Sequence, residues 1–148
     1  MAEYSTKRRL PWRCEQLYEL AADIARYPEF LPGWKKVNIL RRSDNKLLVE
    51  QQVGLGPISK PFVSEAELVP CEEVKVHSTD GPFHYLNIHW MFEPEKEGGC
   101  RVSLLIDYDM KNRMLNQLSG KFFKTMTADV VDRFRKEARK RYGPPGTV

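Results

Sequence analysis

A chain of 148 residues has the length of one domain, and its 41% hydrophobic and 30% charged residues match an ordinary globular protein. Apolar runs of only a handful of residues exclude a membrane-spanning helix, and Pro11-Trp12 directly after Lys7-Arg8-Arg9 argues against a secretory leader. The net charge of +4 is uneven: residues 1–13 carry +3 and residues 131–148 carry +4, leaving −3 on the body between them.

Residues 3–10 read as a first strand that Pro11 ends. Leu17, Leu20, Ala21, Ile24 and Ala25 then recur at helical spacing, which predicts a short helix with one apolar stripe. Pro28 is expected to stop that helix and to bias Tyr27 towards an extended backbone. Pro32 and Gly33 keep the next segment irregular.

Between Lys35 and Met110 the chain alternates with period two. Leu47, Val49, Val53 and Leu55 share one side of a strand, opposite Lys46, Glu50 and Gln52. After the turn signal Gly54-Leu55-Gly56-Pro57, Phe62, Ser64, Ala66 and Leu68 share a face, with Glu65 and Glu67 outside, and Val74 and Val76 continue the pattern. Gly81-Pro82 precedes Leu86, Ile88, Trp90 and Phe92, which alternate with Tyr85, Asn87, His89 and Met91. Gly98-Gly99 precedes Val102, Leu104, Ile106 and Tyr108, set against Arg101, Ser103, Asp107 and Asp109. Consecutive strands joined by short Gly/Pro turns predict an antiparallel meander with one apolar face to cover.

The cover is a second helix from about Asn112 to Tyr142. Leu115, Leu118, Phe122, Met126, Val130, Phe134 and Ala138 form its stripe, widened by Met114 and Phe123, and Gly143-Pro144-Pro145-Gly146 stops it. Gly120 inside it costs roughly 1 kcal/mol against alanine. One helix is too narrow to close a curved sheet, so an apolar space is expected between the two. Ser64, Ala66 and Ser78 put small side chains on inward positions, which enlarges that space, while Met114 and Met126 are adaptable walls. Cys14, Cys71 and Cys100 are odd in number and lack Cys-x-x-Cys spacing, so three free thiols in a reducing cytosol are expected.

Four patches in order resemble the coenzyme Q-binding family of START-like proteins and the bacterial ribosome association toxin group that shares its pattern. They are Tyr27-Pro28-Glu29-Phe30-Leu31-Pro32, Phe62-Val63-Ser64, Gly81-Pro82-Phe83 with Leu86 and Trp90-Met91-Phe92, and Phe134 in a basic helix ending at Tyr142-Gly143. The resemblance spans nearly the whole chain. It implies an α+β helix-grip fold, with a curved antiparallel sheet wrapped around a long C-terminal helix in one domain over residues 1–148. Polyketide cyclases look similar at that level. Gly33 intervenes before Trp34 where the family commonly places an aromatic, and Glu65 stands where a basic residue is frequent. Both substitutions would alter the pocket mouth.

On this reading Phe62, Leu86, Ile88, Trp90, Leu104, Ile106, Leu118, Phe122 and Met126 line a hydrophobic cavity, and Phe30, Leu31, Pro32 and Trp34 form its entrance. The ordinary alternative for such residues is a filled core. Arg135, Arg139 and Lys140 are candidates to face a membrane or RNA, although cations at a helix C-terminus are also favoured by its dipole. His84 and His89, five apart on one strand, are expected on opposite faces; His77 and His89 can share one, without a third ligand for zinc. No Gly-x-Ser-x-Gly, P-loop or His-Glu-x-x-His motif occurs, and His84, Tyr85, Asn87 and Tyr108 are the acid/base candidates for a cyclase. The leading expectation is a non-enzymatic carrier or chaperone of ubiquinone or a similar polyprenyl lipid, cytoplasmic or peripheral at the inner membrane, in support of respiration. It needs no metal and no cofactor beyond bound lipid, and no DNA. A ribosome-associated, toxin-like regulator and a polyketide cyclase or dehydratase are the alternatives.

Overall fold

A computed structural model describes residues 2–31, 33–54 and 60–144. Strand β1 (Ala2–Leu10) leads into helix α1 (Cys14–Ala22), a 3-10 turn (Ile24–Arg26) and the four-residue helix α2 (Tyr27–Phe30). Six strands follow, β2 (Trp34–Ser43), β3 (Lys46–Val53), β4 (Phe62–Val69), β5 (Glu73–Ser78), β6 (Phe83–Pro94) and β7 (Cys100–Met110), and then helix α3 (Arg113–Tyr142). Pro32, the segment Leu55-Gly56-Pro57 and Pro145-Gly146 lie outside the described residues.

The seven strands of the described residues form one antiparallel sheet in the order β1-β7-β6-β5-β4-β3-β2. The meander runs from β2 to β7, and β1 closes the far side by pairing along β7, from Ala2 opposite Tyr108 to Leu10 opposite Cys100. The predicted alternation holds on each strand. Leu47, Val49, Gln51 and Val53 turn inward on β3, and Leu86, Ile88, Trp90 and Phe92 do so on β6. Gly99, at φ +83°, lets β7 begin against the end of β1, where an added Cβ would lie 2.6 Å from the Leu10 carbonyl oxygen.

Helix α3 begins where Asn112 Oδ1 accepts the Met114 N–H (2.8 Å), and it ends where the Gly143 N–H bonds to the Arg139 carbonyl (2.9 Å). Its buried face holds Ser119, Phe123, Met126, Val130, Phe134 and Ala138. Gly120 faces β1, with an added Cβ 3.4 Å from the Tyr4 hydroxyl. Phe134 stacks on Trp90 at 4.5 Å between ring centroids and meets Phe30 at 5.7 Å, tying α3, β6 and α2 together.

Three expectations change. Helix α1 ends at Ala22, before Pro28, and Pro28 instead sits in the first turn of α2, where its missing N–H costs nothing. Tyr27 is helical (φ −52°, ψ −39°) despite preceding a proline, because its buried ring and its hydroxyl bond to the Ala21 carbonyl outweigh the local bias. Finally, Cys14 and Cys100 form a buried disulfide between the start of α1 and the start of β7, which leaves Cys71 as the free thiol among the three. The two cysteines are 86 positions apart, so no sequence spacing signals the pairing.

Candidate functional site

Between the sheet and its helical cover, ten side chains of the described residues border a small internal void. Ile24 and Tyr27 come from the segment after α1, Trp34 from β2, Gln51 from β3 and Val76 from β5. Ile88 and Trp90 come from β6, Leu104 and Ile106 from β7, and Met126 from α3. The void measures about 10 Å³, room for one water at most, whereas ligand pockets are typically about 300–1,000 Å³. In this conformation the described side chains leave little of this void open.

The lining is apolar except at one end. There the Trp34 indole N–H donates to Gln51 Oε1 (2.9 Å), and Gln51 Nε2 donates to Ser64 Oγ (2.6 Å). All three residues are buried, so the hydrogen bonds between them offset what desolvating their polar groups costs. A ligand carbonyl or hydroxyl arriving here would find an amide and a hydroxyl able to exchange partners. Burial also pushes the Tyr27 phenol far above its ordinary range, so it stays a neutral donor.

The cover over this void is fastened from the end of α3. Arg141 Nε bonds Glu137 (2.6 Å), its Nη1 reaches Asp23 after α1 (3.3 Å), and its guanidinium lies 5.3 Å from the centre of the Phe30 ring. Tyr142 adds hydroxyl contacts to the Gln16 carbonyl (3.1 Å) and Glu19 (2.8 Å). At the other side of the cover the chain passes close over α3. Gly33 takes φ +88°, and a Cβ there would lie 2.5 Å from the Phe122 ring.

Of the nine residues expected to line a cavity, Ile88, Trp90, Leu104, Ile106 and Met126 border the void. Phe62 and Leu86 are core on the same inner face, and Phe62 meets Phe83 edge-on at 5.0 Å. Phe122 is half-buried beneath Gly33. Leu118 is misplaced by the sequence reading: it is 54% exposed, and Met114 is 65% exposed. The reason is helical geometry, since four-residue steps overshoot a 3.6-residue turn by about 40° each and carry the stripe off the buried face near its start. Of the entrance residues, Phe30, Leu31 and Trp34 are buried, with Trp34 part of the lining; Pro32 lies outside the described residues. Arg135, Arg139 and Lys140 are exposed, and Arg135 pairs with Asp132 (3.3 Å).

Sequence reasoning passed over Ile24, Tyr27, Gln51 and Val76 as lining residues. Gln51 carried a legible signal, for it has the parity of Leu47 and Val49, and an amide on an apolar face marks a polar point in a core. Tyr27 carried none, because its position depends on the irregular path between α1 and α2.

A larger concavity, about 340 Å³, crosses the outer face of the sheet among Glu65, Glu67, Lys75, His77, Asn87 and His89. It is open and polar, and both of its histidines are hydrogen-bonded. His77 bonds Asn87 (2.6 Å) and His89 bonds Glu73 (2.5 Å). His84 was expected on the opposite face from His89, but a bulge at Phe83–Tyr85 lets it bond the outward Asp109 (2.9 Å). Among the described residues no three metal-ligating side chains cluster. Tyr85 and Asn87 also face outward; of the four acid/base candidates only Tyr108 turns inward, where burial raises its phenol and Ser119 Oγ contacts its hydroxyl (3.1 Å).

The family described as polyketide cyclase/dehydrase and lipid transport matches residues 10–135. The chain is 32% identical over 143 residues to the ribosome association toxin RatA of Vibrio cholerae, spanning 97% of this chain and 99% of that protein. It is 28% identical over 145 residues to the mitochondrial coenzyme Q-binding protein COQ10 homolog B of Xenopus laevis, spanning 95% of this chain and 59% of that one. Among solved structures, an 18 kDa protein of Caulobacter crescentus superposes with a TM-score of 0.80 at 25% identity, over 97% of this chain and all of its own. A Streptomyces aromatase/cyclase superposes at 0.85 with 14% identity over 99% of each chain, a likeness of fold.

Proposed function

The chain belongs to the polyketide cyclase, dehydrase and lipid-transport family, and on that footing we propose that it binds and carries an apolar ligand of the polyprenyl-quinone class without chemically changing it. The observation that carries this reading is, among the described residues, an apolar lining with a buried polar end at Trp34 and Gln51, backed by Ser64. Such a site suits a long hydrocarbon tail with one carbonyl-bearing head. Each Å² of tail surface removed from water contributes about 25 cal/mol, so the tail supplies most of the affinity and the polar end sets orientation. Because the void now holds about 10 Å³, entry requires the cover to move. The Gly33–Phe122 seam is the natural line of opening, and Arg141 is the fastening opposite it. The name of the coenzyme Q-binding relative supports the choice of ligand class. The outward orientation of Tyr85 and Asn87 and the outward hydrogen bond of His84 weigh against cyclase chemistry.

Organic extraction of gently purified protein, followed by mass spectrometry, tests the reading. Co-purifying quinone is expected, together with quenching of Trp34 and Trp90 fluorescence when a short-chain ubiquinone is added. Gln51→Leu should weaken quinone binding while leaving that of a plain hydrocarbon of equal length. No recovered lipid and no quenching would refute a carrier.

The ribosome-associated reading is supported by the relatives named for ribosome association and by the exposed cations Arg135, Arg139 and Lys140 on the last turns of α3. It predicts co-sedimentation with ribosomal subunits that rising salt abolishes.

A further inference from the structure

Met114 and Leu118 are two of the three large apolar side chains that the described residues leave exposed, the other being Leu40. They are four apart on α3, so they share its solvent face, with Lys121 next along the same line. Arg113 and Lys124 flank them and Lys111 precedes the helix; all four cations are exposed. From Lys111 to Ala128 the chain has no Asp or Glu, and no ion pair among the described residues engages any of these cations. The later turns differ. Asp129 and Asp132 interrupt their cations, and Asp132 pairs with Arg135 and Arg8.

We infer that the first three turns of α3, centred on Met114 and Leu118, dock on an anionic lipid surface. Apolar tips with unpaired cations along one side match the boundary between head groups and acyl chains, where Met and Leu embed and the lysine stems lie along the surface with their charges in water. A nucleic acid would satisfy the cations and leave the two apolar side chains in water. One turn beyond Leu118, Phe122 closes on Gly33, so docking here sets the seam of the cover against the membrane. This inference deepens the carrier reading and rests on it for the identity of the cargo, so vesicle binding and ligand binding are measured apart.

The test is co-sedimentation with phosphatidylcholine vesicles, with and without phosphatidylglycerol, alongside a vesicle-free quinone titration. Wild type is expected on the anionic vesicles. Met114→Ser with Leu118→Ser, on side chains already exposed, should weaken binding on the order of thirtyfold with an unchanged melting temperature. Lys121→Gln with Lys124→Gln should weaken it about as much and flatten its salt dependence. Arg135→Gln with Arg139→Gln should leave it unchanged, and quinone titration should match wild type in all three. Wild-type vesicle affinity in the folded Met114/Leu118 variant would overturn the inference, as would a loss confined to the Arg135/Arg139 variant. Failure of wild type to bind either vesicle would also overturn it, and a concentration-dependent dimer lost in the Met114/Leu118 variant would then assign the face to a second copy of this chain.

Discussion

Arg141→Met removes the charge that holds α3 to the segment after α1 while keeping most of the apolar stem. Its side chain is 15% exposed and that of Glu137 only 7%, so the substitution strands a carboxylate away from water. Breaking a buried pair from one side costs roughly 3–5 kcal/mol. The lower end applies here, because Asp23 is partly solvated and Arg141 Nη2 is buried with no hydrogen-bond partner among the described residues, a cost the variant sheds. A loss of about 3 kcal/mol corresponds to roughly 6–12 °C in melting temperature for a chain of this size. With a urea slope of about 2 kcal/mol/M it moves the midpoint by about 1.5 M. Arg141→Met with Glu137→Met should recover all but about 1 kcal/mol, the remainder being the lost contact with the Phe30 ring and Asp23. Urea unfolding followed by circular dichroism measures both. A single variant that loses under about 1 kcal/mol, or a double variant no more stable than the single, would refute a latch built on this pair. Both variants should also accept quinone faster than wild type in stopped-flow quenching, because the fastening opposite the seam is gone.

Gly33→Ala forces a Cβ into the Phe122 ring at a positive φ and should cost about 1–3 kcal/mol. Adding Phe122→Ala should recover the steric part, which a double-mutant cycle in urea reads as non-additivity. Reducing the Cys14–Cys100 bond should lower stability by up to about 4–5 kcal/mol, the chain-entropy value for a loop of this length, and alkylation with mass spectrometry before and after reduction counts the thiols. The hydrogen bond from His89 holds the Glu73 carboxyl below its ordinary range, and the nearby Lys75 charge adds to this. The stability this contributes is present above the unfolded glutamate value near 4.3 and is lost as pH falls through the lower folded value. Glu73→Gln should therefore lower stability at neutral pH and flatten the acid limb of the stability profile below about 4.3. A parallel acid limb would remove Glu73 from the account.

Inward parity on β3 through β7 was readable because a strand's side-chain period is local: Val49, Ile88 and Leu104 each turn inward where alternation says they must. Asn112 and Gly143 likewise mark the ends of α3 through chemistry confined to a single helical turn. The four patches were enough to indicate the family, since none spans more than twelve positions. Leu118 was misjudged because a stripe drawn in steps of four ignores how a straight helix rotates. The decision between Phe122 and Phe123 as the deeper ring depends on where the sheet lies.

Local order therefore resided in the sequence itself: which residues form strands, which form the long helix, and which side of each strand is greasy. The pairing of β1 with β7, the Cys14–Cys100 bond and the reach of Arg141 to Asp23 join residues 86 to 118 positions apart. Periodicity carries no record of such meetings, because they arise only when the sheet curls and brings distant segments to one place. The void of about 10 Å³ was settled in the same way, because Tyr27, Trp34, Gln51 and Met126 reach its lining from four separate elements.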